Sequence, residues 1–134
     1  MSNIKVVTDL LLQGKCVLLP SECGWGLSCS VKSSSAIKEL IEISSGFRKG
    51  DEVLLIESSS VLYDYMTEVP EMAFTLLDIA DQPLILSIEQ WSAISPLNEV
   101  FANGISFRID ESKLIADIIR FTKSDLVIIP LFTN

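Results

Sequence analysis

Short apolar runs of strand length recur along the chain and alternate with segments whose apolar residues follow helical spacing. Strands are predicted at residues 15–19, 27–31, 52–57, 83–88, 105–109 and 126–132. Helices are predicted at residues 4–11, 33–43, 71–80 and 111–123. This alternation indicates an α/β layer fold. Because residues 105–109 alternate between apolar and polar, as in a half-buried strand, we expect a mixed sheet rather than a wholly parallel one.

The length and composition of the chain suit one domain with a large core. It has 134 residues, of which 49% are apolar, and a domain of this size buries roughly two thirds of the surface that its unfolded chain exposes. No linker, repeat or low-complexity tract divides it, so we expect a single domain over residues 1–134. Surplus apolar surface can be covered by a second copy, which makes a homodimer one expectation.

The amino-acid composition excludes several classes of function. There is no histidine, so a single chain cannot use Ser–His, Cys–His or His-ligated metal chemistry. Lys and Arg total 10 against 18 for Asp and Glu, a net charge of −8, which opposes non-specific binding to RNA or DNA. Cys16, Cys23 and Cys29 show no C-x-x-C spacing, and we expect reduced thiols in a reducing compartment.

The chain lacks the sequence features of membrane and secreted proteins. No apolar run approaches the roughly 20 residues that cross a bilayer. The first ten residues have neither a basic leader nor a small-residue cleavage site, so we expect no signal peptide and a cytoplasmic location.

The most unusual segment is residues 14–27, Gly-Lys-Cys-Val-Leu-Leu-Pro-Ser-Glu-Cys-Gly-Trp-Gly-Leu. We read it as a strand that enters a turn-rich loop at residues 20–26. Glycines in such a loop let backbone N–H groups reach a ligand, hydroxyl and thiol groups donate hydrogen bonds, and Trp25 offers a flat face for stacking. The alternative is an ordinary turn between two strands, with Trp25 capping the core.

This segment resembles the YrdC-like family, the threonylcarbamoyl-AMP synthases of transfer-RNA modification, whose loop typically reads Pro-Thr-Asp-Thr-x-Tyr-Gly-Leu. The matching residues are Pro20, Ser21, Glu22, Cys23, Trp25, Gly26 and Leu27. The order of elements agrees from residue 6 to 134. The resemblance implies a twisted mixed parallel and antiparallel sheet with flanking helices. Its concave surface binds nucleotide and threonine in the family and has been associated with double-stranded RNA.

The main departure from the family lies after the second predicted helix. Where the family has Lys-x-Arg, this chain has Ser45 and Phe47. Those cations hold phosphates and carboxylates during adenylation, and neither a hydroxyl nor a phenyl group can replace them. Arg48 and Lys49 follow directly and either take over this role through a shifted loop or are solvated charges in a turn.

Three further segments keep only part of the family pattern. Pro83 is retained from a Pro-Gly-Pro-x-Thr segment whose threonine is Ile85 here. Arg108 stands where the family has Arg-x-Pro, and it either contacts an anion or is an exposed strand arginine. Asn134 is retained from Thr-Ser-Ala-Asn-x-Ser-Gly, with Phe132 in place of the serine, and the resemblance implies a shortened member.

Two residues of the loop each have two alternative chemical roles. Cys23 has no histidine to activate it, which favours a thiol in a pocket wall over a nucleophile. Glu22 is either a Mg²⁺ ligand beside a phosphate or the acceptor of a loop-stabilising hydrogen bond. We predict no catalytic residue and no metal ligand, while ATP and Mg²⁺ remain possible cofactors through the resemblance alone.

Three functions follow as hypotheses. The favoured one is a YrdC-like module that binds a small anionic, nucleotide-like or RNA-type ligand with little or no catalysis, RNA being disfavoured by the net charge. The alternatives are an active synthase that uses ATP, bicarbonate and threonine, and a non-enzymatic homodimeric interaction protein. The candidate ligand-binding residues are Ser21, Glu22, Cys23, Trp25, Arg48, Lys49, Arg108 and Asn134.

Overall fold

The computed structural model describes residues 2–22, 24–44, 52–58, 61, 71–72, 75–76, 86–88 and 105–131. The elements within them are α1 (Ser2–Leu12), β1 (Val17–Ser21), β2 (Gly24–Ser30), α2 (Ser34–Ser44), β3 (Val53–Ile56), β4 (Leu86–Ile88), β5 (Ile105–Ile109), α3 (Lys113–Thr122) and β6 (Leu126–Pro130). No helix among these residues is long and apolar enough to cross a membrane.

The described strands form one six-stranded sheet in the order β1-β2-β6-β3-β5-β4. β3 and β5 pair in parallel, and the other four pairings are antiparallel. The prediction of a mixed sheet with flanking helices is therefore confirmed.

Helices cover both faces of this sheet and create two hydrophobic cores. The α2-side core contains Cys29, Ala36, Ile37, Leu40, Leu54, Ile56, Phe107, Val127 and Ile129. The α1/α3-side core contains Leu11, Leu19, Val53, Leu55, Ile115, Ile118, Ile119, Leu126 and Ile128. Successive residues of β3 and β6 thus enter opposite cores, because side chains alternate along a strand. Burial on both faces explains why these two strands are continuous apolar runs in the sequence.

The helix ends follow their sequence signals. Gly14 has a positive φ of 81°, and its N–H donates to the Leu11 carbonyl at 3.1 Å, as expected of a glycine that ends a helix. The Ser33 hydroxyl accepts a hydrogen bond from the Ala36 N–H at 3.2 Å and caps α2. Both predicted signals are confirmed.

The predicted loop at residues 20–26 is wrong, because strands occupy most of it. Pro20 and Ser21 belong to β1, and residues 24–26 belong to β2. Proline has no backbone N–H, so it is excluded from a strand only where a neighbouring strand needs that hydrogen-bond donor. β1 lies at the edge of the sheet and has a neighbour on one side only. The facing residue Trp25 turns its carbonyl toward Leu131 N–H, at 2.9 Å, so β2 requires no donor from Pro20.

Other boundaries differ by small amounts or cannot be compared. β1 begins at Val17 rather than at residue 15. Of the helix predicted at 71–80, residues 71–72 and 75–76 are described and helical; of the strand predicted at 83–88, residues 86–88 are described and form β4. The segments 45–51 and 132–134 lie outside the described residues.

Candidate functional site

The segment that resembles the family loop forms the tip of a tight β-hairpin. Ser21 pairs with Gly24, so only two residues separate the paired positions. Gly24 has a φ of 96°, a conformation that favours glycine. The Ser21 hydroxyl donates to the Gly24 carbonyl at 3.0 Å. The tip is thus held by local contacts, and Cys23 within it lies outside the described residues.

The second glycine of the hairpin serves packing within the sheet. A Cβ atom on Gly26 would lie 2.6 Å from Ile128 Cγ1 and 2.7 Å from the Ile129 carbonyl oxygen. Gly26 is therefore needed for the close approach of β2 to β6, rather than for the close approach of a ligand that the sequence suggested.

Trp25 lies on the surface of the hairpin. It is 51% exposed, so about half of its surface is open to solvent. Side chains alternate along β2, which places Trp25 with Leu27 and Cys29 on the α2 side of the sheet. Ser21 lies on the other side, two residues after Leu19 of the α1/α3-side core. The hairpin thus directs these two predicted ligand-binding residues to opposite faces.

Glu22 connects the hairpin tip to the end of β5. Its backbone N–H donates to Asp110 Oδ2 at 2.9 Å, and its Oε1 accepts from the Glu111 N–H at 2.6 Å. The same oxygen lies 3.5 Å from Arg108 Nη2. Glu22 therefore makes the stabilising hydrogen bond that was one of its two predicted roles. We name Glu22, Arg108, Asp110 and Glu111 the Glu22–Arg108 corner.

Arg108 is buried, so its interpretation as an exposed strand arginine is wrong. It is 5% exposed. Phe107 packs in the α2-side core, and alternation along β5 therefore places Arg108 on the face covered by α1 and α3. Its register partner Leu55 belongs to that core. A buried guanidinium needs a negative partner, which explains why the Glu22 carboxylate reaches it.

Asp110 is a site residue that the sequence analysis missed. It is 3% exposed, and its Oδ1 accepts from both the backbone N–H of Ser112, at 2.9 Å, and the Ser112 hydroxyl, at 2.5 Å. With Oδ2 bound to the Glu22 N–H, this carboxylate fixes both the start of α3 and the hairpin tip. An aspartate two residues before a serine at a helix start is a detectable turn signal, but it does not reveal the distant partner.

The corner exists because the sheet is twisted. β5 lies four places from β1 in the strand order, a separation of about 19 Å in a flat sheet at about 4.8 Å per strand. The pairings also make β1 and β5 run in opposite directions, so their final residues occupy diagonal ends. The hydrogen bond between Glu22 and Asp110 requires these ends to curl toward each other over the α1/α3 face, as right-handed strand twist allows.

The corner has more negative than positive groups. Glu22, Asp110 and Glu111 each carry a carboxylate, and Arg108 carries the guanidinium. An anionic ligand placed there is repelled unless further cations approach. Within the described part of the chain, no group of three or more His, Cys, Asp or Glu residues is placed to hold a metal ion.

For four of the predicted ligand-binding residues, the position relative to this corner is not described. Cys23, Arg48, Lys49 and Asn134 lie outside the described residues, so their roles stay predictions. Glu22 and Arg108 are in contact, and Ser21 directly precedes Glu22 on the same strand end.

A comparison with protein families decides the relationship. The family model named Sua5_yciO_yrdC and described as "Telomere recombination" matches residues 9–130. The chain belongs to the Sua5/YciO/YrdC family. No curated protein matches the sequence.

Several solved structures share the fold of this YrdC-like domain. The P. abyssi Sua5 structure complexed with L-threonine is 19% identical, with a TM-score of 0.77 over 95% of this chain and 38% of that one. E. coli YciO is 15% identical, with a TM-score of 0.71 over 94% of this chain and 62% of that one. Full-length HypF, in its phosphate- and nucleotide-bound form, has the same identity and TM-score over 94% of this chain and 20% of that one. The YrdC-like domain thus spans less than two thirds of each.

Proposed function

We propose that this YrdC-like domain, related to the proteins of transfer-RNA threonylcarbamoyladenosine synthesis, is a ligand-binding module with little or no adenylating activity. The binding site is the Glu22–Arg108 corner together with Ser21. The observation that carries the proposal is that Arg108, which matches the arginine of the family, is buried and paired with Glu22.

The charge at the corner favours one class of ligand over another. A triphosphate brings several negative charges toward the carboxylates of Glu22, Asp110 and Glu111, with one guanidinium to offset them. An amino acid carries one negative and one positive group, so it adds no net charge to the corner, and its ammonium can approach the Glu22 carboxylate that Arg108 holds in place. The related P. abyssi Sua5 structure contains L-threonine. We therefore expect L-threonine to bind more tightly than ATP, with other small anionic or nucleotide-like ligands as further candidates.

Little or no catalysis is expected because the family cations are replaced. Ser45 and Phe47 stand at the positions of the Lys-x-Arg pair. Adenylation requires positive charge on the phosphates as the α-phosphate is attacked. Without that charge, a bound amino acid is held but not activated.

Calorimetric titration with L-threonine and with ATP and Mg²⁺ tests the binding. Arg108→Gln should weaken L-threonine binding by about tenfold or more, which corresponds to about 1.4 kcal/mol. Arg120→Gln is the matched control, because Arg120 is 65% exposed on α3 and pairs with Asp117 at 3.6 Å; it should leave binding unchanged. Circular dichroism verifies that each variant is folded, and Arg108→Lys replaces Arg108→Gln if the latter unfolds. Absence of binding to the wild-type chain, or equal losses in both variants, would contradict the proposal.

An active synthase is the second candidate, favoured by the retained fold, with a TM-score of 0.77 to P. abyssi Sua5. It requires Arg48 and Lys49 to supply the charge that Ser45 and Phe47 cannot. Replacement of Arg48 and Lys49 by alanine would then abolish both ATP binding and turnover.

A homodimeric interaction protein is the third candidate. Val6 and Leu12 of α1 and Phe121 of α3 are 58%, 63% and 64% exposed, and α1 packs against α3. Apolar side chains exposed on two adjoining helices suit coverage by a second copy. Light scattering at concentrations on the order of tens of micromolar distinguishes the states; a monomer there contradicts this candidate.

A further inference from the structure

Two cysteines face each other at the base of the hairpin, at the end opposite to Ser21 and Glu22. In the β1–β2 register, Val17 pairs with Ser28. One step further from the tip, the same register places Cys16 opposite Cys29. Strand neighbours in this relation contact each other through their side chains, so the two thiols are brought together although 12 residues separate them in the sequence.

The hydrogen-bond pattern identifies the type of pair. The Trp25 carbonyl accepts from the Leu131 N–H, and the Val31 N–H donates to the Asp125 carbonyl, so both residues turn their backbone groups toward β6. Backbone groups alternate sides along a strand, and Cys29 therefore also faces β6 rather than β1. Cys16 and Cys29 thus form a non-hydrogen-bonded pair, in which Cα atoms lie about 4.5 Å apart. Disulfides span Cα separations of roughly 4.4–6.8 Å.

The two thiols have different surroundings. Cys29 is fully buried in the α2-side core, whereas Cys16 is partly exposed and its thiol donates to the Ala36 carbonyl at 3.5 Å. A hydrogen bond from Cys29 lowers the pKa of Cys16, against the opposing effect of burial. The same hydrogen bond, followed by burial, raises the pKa of Cys29. Cys16 is therefore the thiol that a reagent reaches first and the one with more thiolate.

We propose that Cys16 and Cys29 form a reversible intrachain disulfide by exchange with a low-molecular-weight disulfide such as glutathione disulfide. The Cys16 thiolate attacks one sulfur of the reagent, the reagent S–S bond breaks, and one glutathione thiolate leaves. Cys29 then loses its proton and attacks the Cys16 sulfur, and the second glutathione thiolate leaves. The two protein thiols are oxidised by two electrons, and one glutathione disulfide is reduced to two glutathione molecules.

The bond would close the hairpin at its base. The loop between Cys16 and Cys29 contains the whole β1–β2 turn, including Ser21 and the corner residue Glu22. Formation also removes the hydrogen of the Cys16 thiol that Ala36 accepts. Because non-hydrogen-bonded pairs lie at a spacing that a disulfide can span, oxidation should leave the fold intact. The inference is independent of the proposed ligand-binding function.

Thiol counting in glutathione redox buffers tests the proposal. The full chain with Cys23→Ser carries only the two thiols of interest. After acid quenching, alkylation in denaturant and intact-mass measurement, both thiols should disappear together as the buffer becomes more oxidising, with a loss of two hydrogen atoms. Peptide mapping of the wild-type chain should identify the Cys16–Cys29 linkage, and the far-ultraviolet circular dichroism should stay unchanged.

Cys16→Ser in the Cys23→Ser chain is the matched variant, and its single thiol, Cys29, should stay unreacted while the protein is folded. A stable glutathione adduct on Cys16 with Cys29 still reduced would overturn the proposal. A wild-type disulfide that includes Cys23, or a loss of native circular dichroism on oxidation, would also overturn it. The peptide map of the wild-type chain decides the matter even if the serine variants do not fold.

Discussion

The structure makes Asp110 the residue on which the Glu22–Arg108 corner most depends. Its carboxylate accepts three hydrogen bonds, two from backbone N–H groups and one from the Ser112 hydroxyl. Hydrogen bonds to a charged acceptor contribute about 1.5–3 kcal/mol each. In Asp110→Ala part of this hydrogen-bond energy is recovered, because Glu22 is exposed and water can accept a hydrogen bond from its freed N–H. We expect Asp110→Ala to lower the free energy of unfolding by about 2–4 kcal/mol, a large part of the typical total of about 5–15 kcal/mol.

Urea unfolding followed by circular dichroism measures this change. Asp117→Ala is the matched control, because Asp117 lies in the second turn of α3 and its contact is a pair at 3.6 Å with Arg120, whose side chain is 65% exposed. Such a pair contributes at most about 0.5 kcal/mol. Asp110→Asn should give an intermediate loss, since one amide oxygen replaces the two carboxylate oxygens. The reasoning is refuted if Asp110→Ala costs no more than Asp117→Ala with the slope of the transition unchanged.

Gly26→Ala should lower the free energy of unfolding by about 3 kcal/mol in the same assay, because its Cβ would overlap the Ile129 carbonyl, which cannot move without shifting β6. Gly24→Ala should cost only about 1 kcal/mol, the cost of a positive φ, since its Cβ would meet open space; equal losses would contradict this account. The alkylation of Cys16 by iodoacetamide should rise with pH through a midpoint that lies below the ordinary pKa of a thiol. Cys29→Ala removes the hydrogen bond that lowers this pKa, so the midpoint should move upward; no upward movement would contradict the assignment.

Much of the fold could be predicted because the local pattern of apolar residues in the sequence agrees with the burial of those residues in the structure. The runs that became β3 and β6 are buried on both faces, which makes them continuous and easy to recognise. α3 follows a strict apolar spacing and begins and ends within two residues of its prediction. The mixed sheet was predicted from the alternation along residues 105–109, although the structure buries both Phe107 and Arg108 of that strand.

The errors arise where tertiary position overrides local propensity. Pro20 indicates a loop, but an edge strand tolerates it. Gly26 suggests a ligand-binding turn, yet the constraint comes from β6, which is about 100 residues away in the sequence. Arg108 alternates with apolar residues and suggests a solvent-facing side, but α1 and α3 cover that side. None of these positions can be interpreted from its own neighbours alone.

The candidate site was predicted in part. Glu22 and Arg108 were selected from the family resemblance, and the structure places them in contact. Asp110 could not be selected, because its role depends on the twist that brings the ends of β1 and β5 together. The hairpin register places Cys16 opposite Cys29. This pairing could not be predicted while residues 20–26 were interpreted as a loop.

The measurement that tests the central claim most directly is pyrophosphate release by the purified protein in the presence of ATP, Mg²⁺, L-threonine and bicarbonate. We predict no release above the protein-free reaction, together with L-threonine binding that Arg108→Gln weakens. Sustained release by the wild-type chain, abolished when Arg48 and Lys49 are replaced by alanine, would contradict the account and establish an active synthase.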